Sequence, residues 1–395
     1  MSGTETASAS LFTPEFFQDP HSVQAALRAE APAREVVTPH GHRVWVVSRY
    51  AEAKAVLADP TVRKNRASSG AATAPDGAPD LSRHMLSMDP PDHTRLRRLV
   101  TRAFTIRRIE LMRPRIEEIT ADLLGRLSPG DKVDLLDVFA FPLPITVISE
   151  LLGVEQEDRA EFRRYSNALI SDSGPEEAQA TVSWMAAYFT EMVAAKRADP
   201  GEDLLSALIE TSEDSDRLSE QELVSMAFLL LVAGHETTVN LIGNGVLALL
   251  TAPEQLERLK ADLSLLHAAV EELLRFRSPV NMSTFRFTTE PVVLGEVTVP
   301  AGSTVLVGLG AANRDDDHCE QAERLDVTRP PSGHLAFGHG IHHCLGAPLA
   351  RLEGEIAFRS LLTTYPDMRL AMPASDLRWR ASVPIHGLVE LPVVL

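Results

Sequence analysis

The chain has 395 residues, 44% hydrophobic but only 5% aromatic, and a formal net charge of −17 at pH 7. That charge excludes a general affinity for nucleic acid or for anionic membranes, since both reward clustered positive charge. With only two cysteines, Cys319 and Cys344, a disulfide framework is excluded and a reducing, cytoplasmic setting is expected.

Residues 1–11 carry no basic residue and no apolar run of signal-peptide length, so they are expected to lack order and to encode no export. Arg34–Thr38 and Arg43–Ser48 alternate in the manner of strands around Pro39, His40 and Gly41, which predicts a hairpin. The stretch 67–79, rich in Ala, Gly, Ser and Pro, predicts a loop. Helical patterns follow over 91–104, 107–127, 142–153, 155–171 and 175–198, punctuated by Pro and Gly. Ser219 followed by Glu222 is a capping-box signature that opens a helix running to about Leu250. Such a helix spans roughly 48 Å, enough to cross the whole molecule. Its longest apolar stretch, about Met226 to Gly234, is shorter than the roughly 20 residues that a bilayer requires. Between Pro279 and Pro331, Val292–Leu294 and Thr304–Leu309 predict short strands. The Leu/Ala/Val-rich balance predicts a mainly α fold with small β-sheets.

Four segments carry chemistry. In Phe337-Gly-His-Gly-Ile-His-His-Cys-Leu-Gly-Ala347, the glycines let backbone approach a flat ligand closely, and Cys344 sits where a helix starts. A helix N-terminus favours the thiolate, and Pro348 is tolerated in the first turn. A buried free cysteine in a glycine-rich loop is an alternative. So is a zinc site built from His339, His342, His343 and Cys344, although no second Cys/His cluster completes a tetrahedron.

The second segment, Ala233-Gly-His-Glu-Thr237, places an acid beside a hydroxyl inside an apolar helix, which is costly unless the pair is used or internally satisfied. The third, Glu272-Leu-Leu-Arg275, reads alone as a surface helix pair. In the fourth, His93 and Arg97 share a helix face, and Arg286 lies in the later strand region. Eight arginines crowd into 95–115, at 95, 97, 98, 102, 107, 108, 113 and 115.

Taken together these segments resemble the cytochrome P-450 family. Phe337, Gly338, Gly340, His342, Cys344 and Gly346 all fall on its cysteine-loop pattern, and the other segments follow in the family's order. The resemblance implies one domain over 1–395, with haem b (iron protoporphyrin IX) between the long central helix and the cysteine loop. Cys344 would be the axial iron ligand, and His93, Arg97, Arg286 and His342 would clamp the propionates. Phe337, Gly338, Ala233 and Gly234 would adjoin the cofactor, with Gly234 letting the helix open over it. Glu236 and Thr237 would relay protons to oxygen. Glu272, Arg275 and Arg324 would form a buried structural network; Cys319, Ala322 and Leu325 depart from the family's usual residues nearby.

The implied reaction inserts one atom of O2 into a small hydrophobic substrate, as hydroxylation or epoxidation. Macrolides and other polyketides come first by similarity, with terpenes, steroids, peptides and xenobiotics as alternatives. A haem protein that does not catalyse is a further alternative. Residues near 64–88, 165–185, 232–237, 280–285 and 383–387 would line the pocket. Electrons would come from ferredoxin and ferredoxin reductase, docked on outward members of the arginine cluster. The resemblance implies no membrane, and the absence of long heptads predicts a monomer.

Overall fold

The computed structural model describes residues 11–39, 41–65, 81–170, 175–211, 218–331 and 333–395. The loop expected over 67–79 and residues 1–10 of the expected unordered stretch lie outside the described residues. Helices α1 (Pro14–Gln18) and α2 (Pro20–Glu30) open on Thr13 and Asp19, whose side chains accept the N–H of Phe16 and Ser22. The expected hairpin forms as β1 (Ala33–Val37) and β2 (Arg43–Val47), paired antiparallel. It is followed by α3 (Tyr50–Ala58) and β3 (Val62–Arg63).

The helical half begins with α4 (Asp92–Ala103). The single helix expected over 107–127 is two, α5 (Ile106–Leu111) and α6 (Arg113–Leu124). Thr105 caps α5 through its hydroxyl, and Pro114 stands in the first turn of α6, where its missing N–H starts a helix but cannot continue one. Next come β4 (Lys132–Asp134), α7 (Pro142–Leu152), α8 (Arg159–Ile170), α9 (Pro175–Ala198) and α10 (Leu204–Thr211).

Helix α11 (Glu220–Leu250) forms as the capping box predicts. Ser219 Oγ accepts the Glu222 N–H at 3.2 Å, and Glu222 Oε2 accepts the Ser219 N–H at 2.8 Å. Although α11 is long and apolar enough to cross a membrane, most of its apolar stretch is buried inside the protein, against α7 and α9. Leu223, Leu231 and Ile242 are almost fully enclosed, and each such side chain contributes roughly 1.5–3 kcal/mol.

After α11 come α12 (Pro253–Ala261), α13 (Leu266–Phe276), β5 (Arg286–Thr288), β6 (Val292–Leu294), β7 (Val297–Val299) and β8 (Thr304–Val307). The strand expected over Thr304–Leu309 stops at Val307 because Gly308 caps α14 (Leu309–Ala312). The chain closes with α15 (Ala347–Thr364), β9 (Arg369–Leu370) and β10 (Pro392–Val394). The sheets have the orders β1-β2-β8-β5-β3, β4-β10-β9 and β6-β7. The fold is therefore mainly helical with small sheets, and α11 packs on α7, α9, α13 and α15.

Two close approaches fix α11 in place. A Cβ at Gly234 would lie 2.8 Å from Ile148 Cγ1 of α7, and one at Gly387 would lie 1.9 Å from Asn240 Oδ1. The helix runs unbroken through Gly234, and the missing side chain there admits α7.

Candidate active site

Cys344 lies three residues ahead of α15, not at its first residue; Gly346 is the N-cap and Pro348 stands in the first turn. Its N–H donates to the Phe337 carbonyl at 2.9 Å, which closes the loop. Gly340 shapes the loop's other side. Its φ is +73°, and a Cβ there would meet Leu57 O at the end of α3 at 2.7 Å, so only glycine fits.

Burial pushes the Cys344 thiol up, against the opposing pull of the Gly346 and Ala347 backbone and of Arg97 and Arg351. The helix start pulls toward the thiolate, but burial outweighs it; a coordinated metal would deprotonate the thiol outright. The residue is nonetheless exposed by surface area.

Histidines and arginines from α4, β5 and the cysteine loop lie together. His93, on α4, is buried, and its ring lies 4.4 Å from that of His342 between centroids. Neither of its nitrogens reaches a hydrogen bond within ordinary limits, though the Ile341 carbonyl is close. Arg97, one turn along, donates to the His343 carbonyl at 2.6 Å. Arg286, on β5, is buried with Nε unpaired, and burial lowers its pKa to about 10.

Burial, followed by the charges of His93, Arg286, Lys64 and Arg97, drives His342 down to about 2. Lys64, just after β3, was not singled out in the sequence, where a lone lysine beside a loop carries no signal. Among the described residues, the carboxylate acting on several of these groups is Asp89. Its oxygens already accept the backbone N–H groups of Lys64 and Asn65, each at 2.9 Å. The cluster is thus rich in donors and poor in negative charge.

On α11, Ala233 is exposed and Gly234 half-buried. Thr237 Oγ1 donates back to the Ala233 carbonyl at 3.0 Å, the internal satisfaction open to a helical threonine. Glu236 is buried and tied to Arg380: Nη1 donates to Oε1 at 2.7 Å, and Asn240 Nδ2 donates to the same oxygen at 3.1 Å. Its Oε2 is buried without a hydrogen bond. Acid and alcohol are sequence neighbours but are not joined by a hydrogen bond. Arg380 lies 144 residues from its partner, and sequence reasoning missed it.

The network of Glu272 and Arg275 is buried as expected, with bidentate bonds of 2.7 and 2.8 Å. Its third side chain is Arg329, whose Nε donates to Glu272 Oε1 at 3.2 Å, and not Arg324. Arg324 offers only its carbonyl, to Arg275 at 3.2 Å and to Arg329 at 3.3 Å, while its own side chain is exposed. Arg275 also donates to the Ala322 carbonyl at 2.7 Å; Cys319, Ala322 and Leu325 are all buried. These departures from the usual residues leave the network intact, because it uses backbone there.

A second network supports the loop: Arg351 on α15 binds Glu271 through bonds of 2.6 and 2.9 Å and lies over the Phe337 ring at 4.6 Å. Gly338 turns the loop beside Phe337 with φ +70°. Among the described residues no three His, Cys, Asp or Glu side chains converge to hold a metal, which removes the support for zinc. An exposed cysteine beside unpaired buried histidine and arginine donors fits a flat iron-bearing cofactor with anionic edges.

The cytochrome P450 family model matches residues 175–367. The chain is 54% identical over 392 residues to cytochrome P450 107B1 of Saccharopolyspora erythraea, covering 97% of this chain and 96% of that one. It is 41% identical over 392 residues to the polyketide biosynthesis cytochrome P450 PksS of Bacillus subtilis, covering 96% and 97%. The structure of the tirandamycin C-bound P450 monooxygenase TamI matches with a TM-score of 0.91 and 47% identity, over 98% of this chain and 100% of that one. Fold and site thus define a haem-b-dependent monooxygenase. The chain belongs to the cytochrome P450 family.

Proposed function

We propose that this P450 hydroxylates or epoxidises a macrolide or other polyketide, and that the sulfur of Cys344 would hold the haem iron. The observation that carries the site assignment is the exposed Cys344 beside the donor-rich cluster of His93, Arg97, Arg286 and His342. The substrate class is supported by the relative named for polyketide biosynthesis and by the tirandamycin C complex of TamI. The chain acts as a single domain and a cytoplasmic monomer.

When bound, the haem supplies an iron centre at which O2 is activated, the thiolate pushing electron density toward the metal. The Gly346 and Ala347 backbone would hold that sulfur; the buried Arg286, together with Arg97, would pair with the propionates, and His93 and His342, whose burial disfavours their charged form, would meet them as neutral hydrogen-bonding rings. Thr237 carries the transferable proton at Oγ1 on the part of α11 where Ala233 is exposed. Glu236, fixed by Arg380 and Asn240, places its carboxyl group next to that hydroxyl in sequence. Ala233, Gly234, Phe337 and Gly338 provide the surfaces against the ring.

The test is the absorption spectrum of the reduced protein under carbon monoxide, expected to show a strongly red-shifted band. Protein grown with ample haem that shows no haem band overturns the reading. For the proton role, Thr237→Ala is expected to lower product formed per NADPH consumed by about tenfold or more, as loss of a general acid predicts. Unchanged coupling removes Thr237 from the mechanism.

Electrons arrive from a ferredoxin, itself reduced by ferredoxin reductase, at a face containing α5. Arg113 and Arg115 are paired with Glu110, Glu118 and Glu150. Arg95 is paired with Glu222, and Arg108 donates to the Glu202 carbonyl. Arg102 and Arg107 are exposed, as are the apolar Ile106 (69%) and Leu111 (71%). Reversing charge at Arg102 and Arg107 together is expected to slow ferredoxin-supported turnover about tenfold at low salt and to flatten its salt dependence. An unchanged rate and salt dependence would place docking elsewhere.

A further inference from the structure

Lys64 is buried, 7% exposed, at a position where a lysine ordinarily reaches water. Its ammonium donates to Thr284 Oγ1 and to the Phe285 carbonyl, the latter at 3.0 Å, which leaves one of its three protons uncommitted. Among the described residues no carboxylate lies within ion-pairing distance of it. Asp89, the nearby acid, is occupied by the backbone of Lys64 and Asn65. A buried cation without a counter-ion is costly, and burial together with Arg286 lowers this amine to about 7. The charge of Lys64 also acts on His342, so it lies within the same group as Arg286, His93 and Arg97.

The segment 284–285 holds the amine in place before any ligand arrives. Thr284 and Phe285 directly precede β5, which carries Arg286, and β3, which ends just before Lys64, pairs with β5. Two neighbouring strands therefore deliver two buried cations to one place. We propose that Lys64 is a further cofactor-holding residue, whose ammonium pairs with a haem propionate alongside Arg286 and His342. The inference rests on the haem-site reading proposed above. It adds a positive group from the β3 side that the cysteine-loop and α4 motifs do not contain.

The experiment uses the full-length haem-loaded protein and follows haem transfer to excess apomyoglobin for wild type, Lys64→Met, Lys64→Arg and Arg286→Met. Lys64→Met is expected to lose haem about tenfold faster, the loss of one charge-assisted hydrogen bond, and Lys64→Arg to restore most of the retention. Its ferrous–CO band is expected to stay in place, since the iron ligand is untouched. Melting of apo and holo forms separates this role from a structural one: the stabilisation conferred by haem shrinks in Lys64→Met. Equal losses of stability in both forms, or haem retention equal to wild type while Arg286→Met releases it faster, would overturn the proposal. If Arg286→Met also retains haem like wild type, the propionate-clamp reading itself fails.

Discussion

Cys344→Ser is expected to yield a folded protein that has lost the red-shifted ferrous–CO band and whose monooxygenase turnover has fallen to background. The fold tolerates the change because a hydroxyl is close in size to a thiol and the loop is closed by backbone, the Cys344 N–H donating to the Phe337 carbonyl. The chemistry does not tolerate it, because a serine hydroxyl lacks the anionic, polarisable sulfur that donates electron density to iron. Far-UV circular dichroism and the CO spectrum, measured on one preparation, separate the two effects. A variant that keeps the wild-type band would show that the sulfur of Cys344 is not the ligand, and Cys319, which is buried, would be the remaining cysteine to examine.

The second large effect concerns stability. Arg275→Ala leaves Glu272 buried with only Arg329 to balance it, and breaking such a pair costs about 3–5 kcal/mol. It also strips hydrogen bonds from the carbonyls of Asn313, Ala322 and Arg324, which Arg275 holds together from three points of the chain. Arg324→Ala removes an exposed side chain whose polar contact is a 3.5 Å bond to Gln321, and is expected to stay within about 0.5 kcal/mol of wild type. Arg329→Ala falls between the two, because it breaks a half-buried bond to Glu272. Denaturant unfolding of the three variants gives the order directly. If Arg324→Ala proved the costlier of the latter two, the third place in the network would return to Arg324.

What could be read from sequence divides along physical lines. The capping box at Ser219 and Glu222 and the apolar periodicity after it are local, so α11 was legible to within a residue at each end. The cysteine loop was legible because glycines, histidines and the cysteine sit in one short segment. The break at Met112 was written in Thr105 and Pro114, but a stretch dense in helix-compatible residues masked it. Long-range pairs left no trace: Glu236 reaches Arg380 across 144 positions, and Lys64 reaches Phe285 across 221. Arg324 and Arg329 occupy one segment and differ only in which presents a side chain and which a carbonyl, a distinction that backbone direction decides and composition does not.

The C-terminal loop is pinned at two neighbouring points. Gly387 sits against Asn240 with no room for a methyl group, and Asn244 Nδ2 donates to the His386 carbonyl at 2.8 Å. The same stretch is bridged to Val280 through Ile385, so it is held from both flanks. A backbone anchored this way changes shape by side-chain volume and not by displacement. On the expectation that 383–387 line the pocket, substitutions at Val383 and Ile385 are expected to alter substrate preference in graded, size-ordered steps, and a small focused library at these two positions checks it.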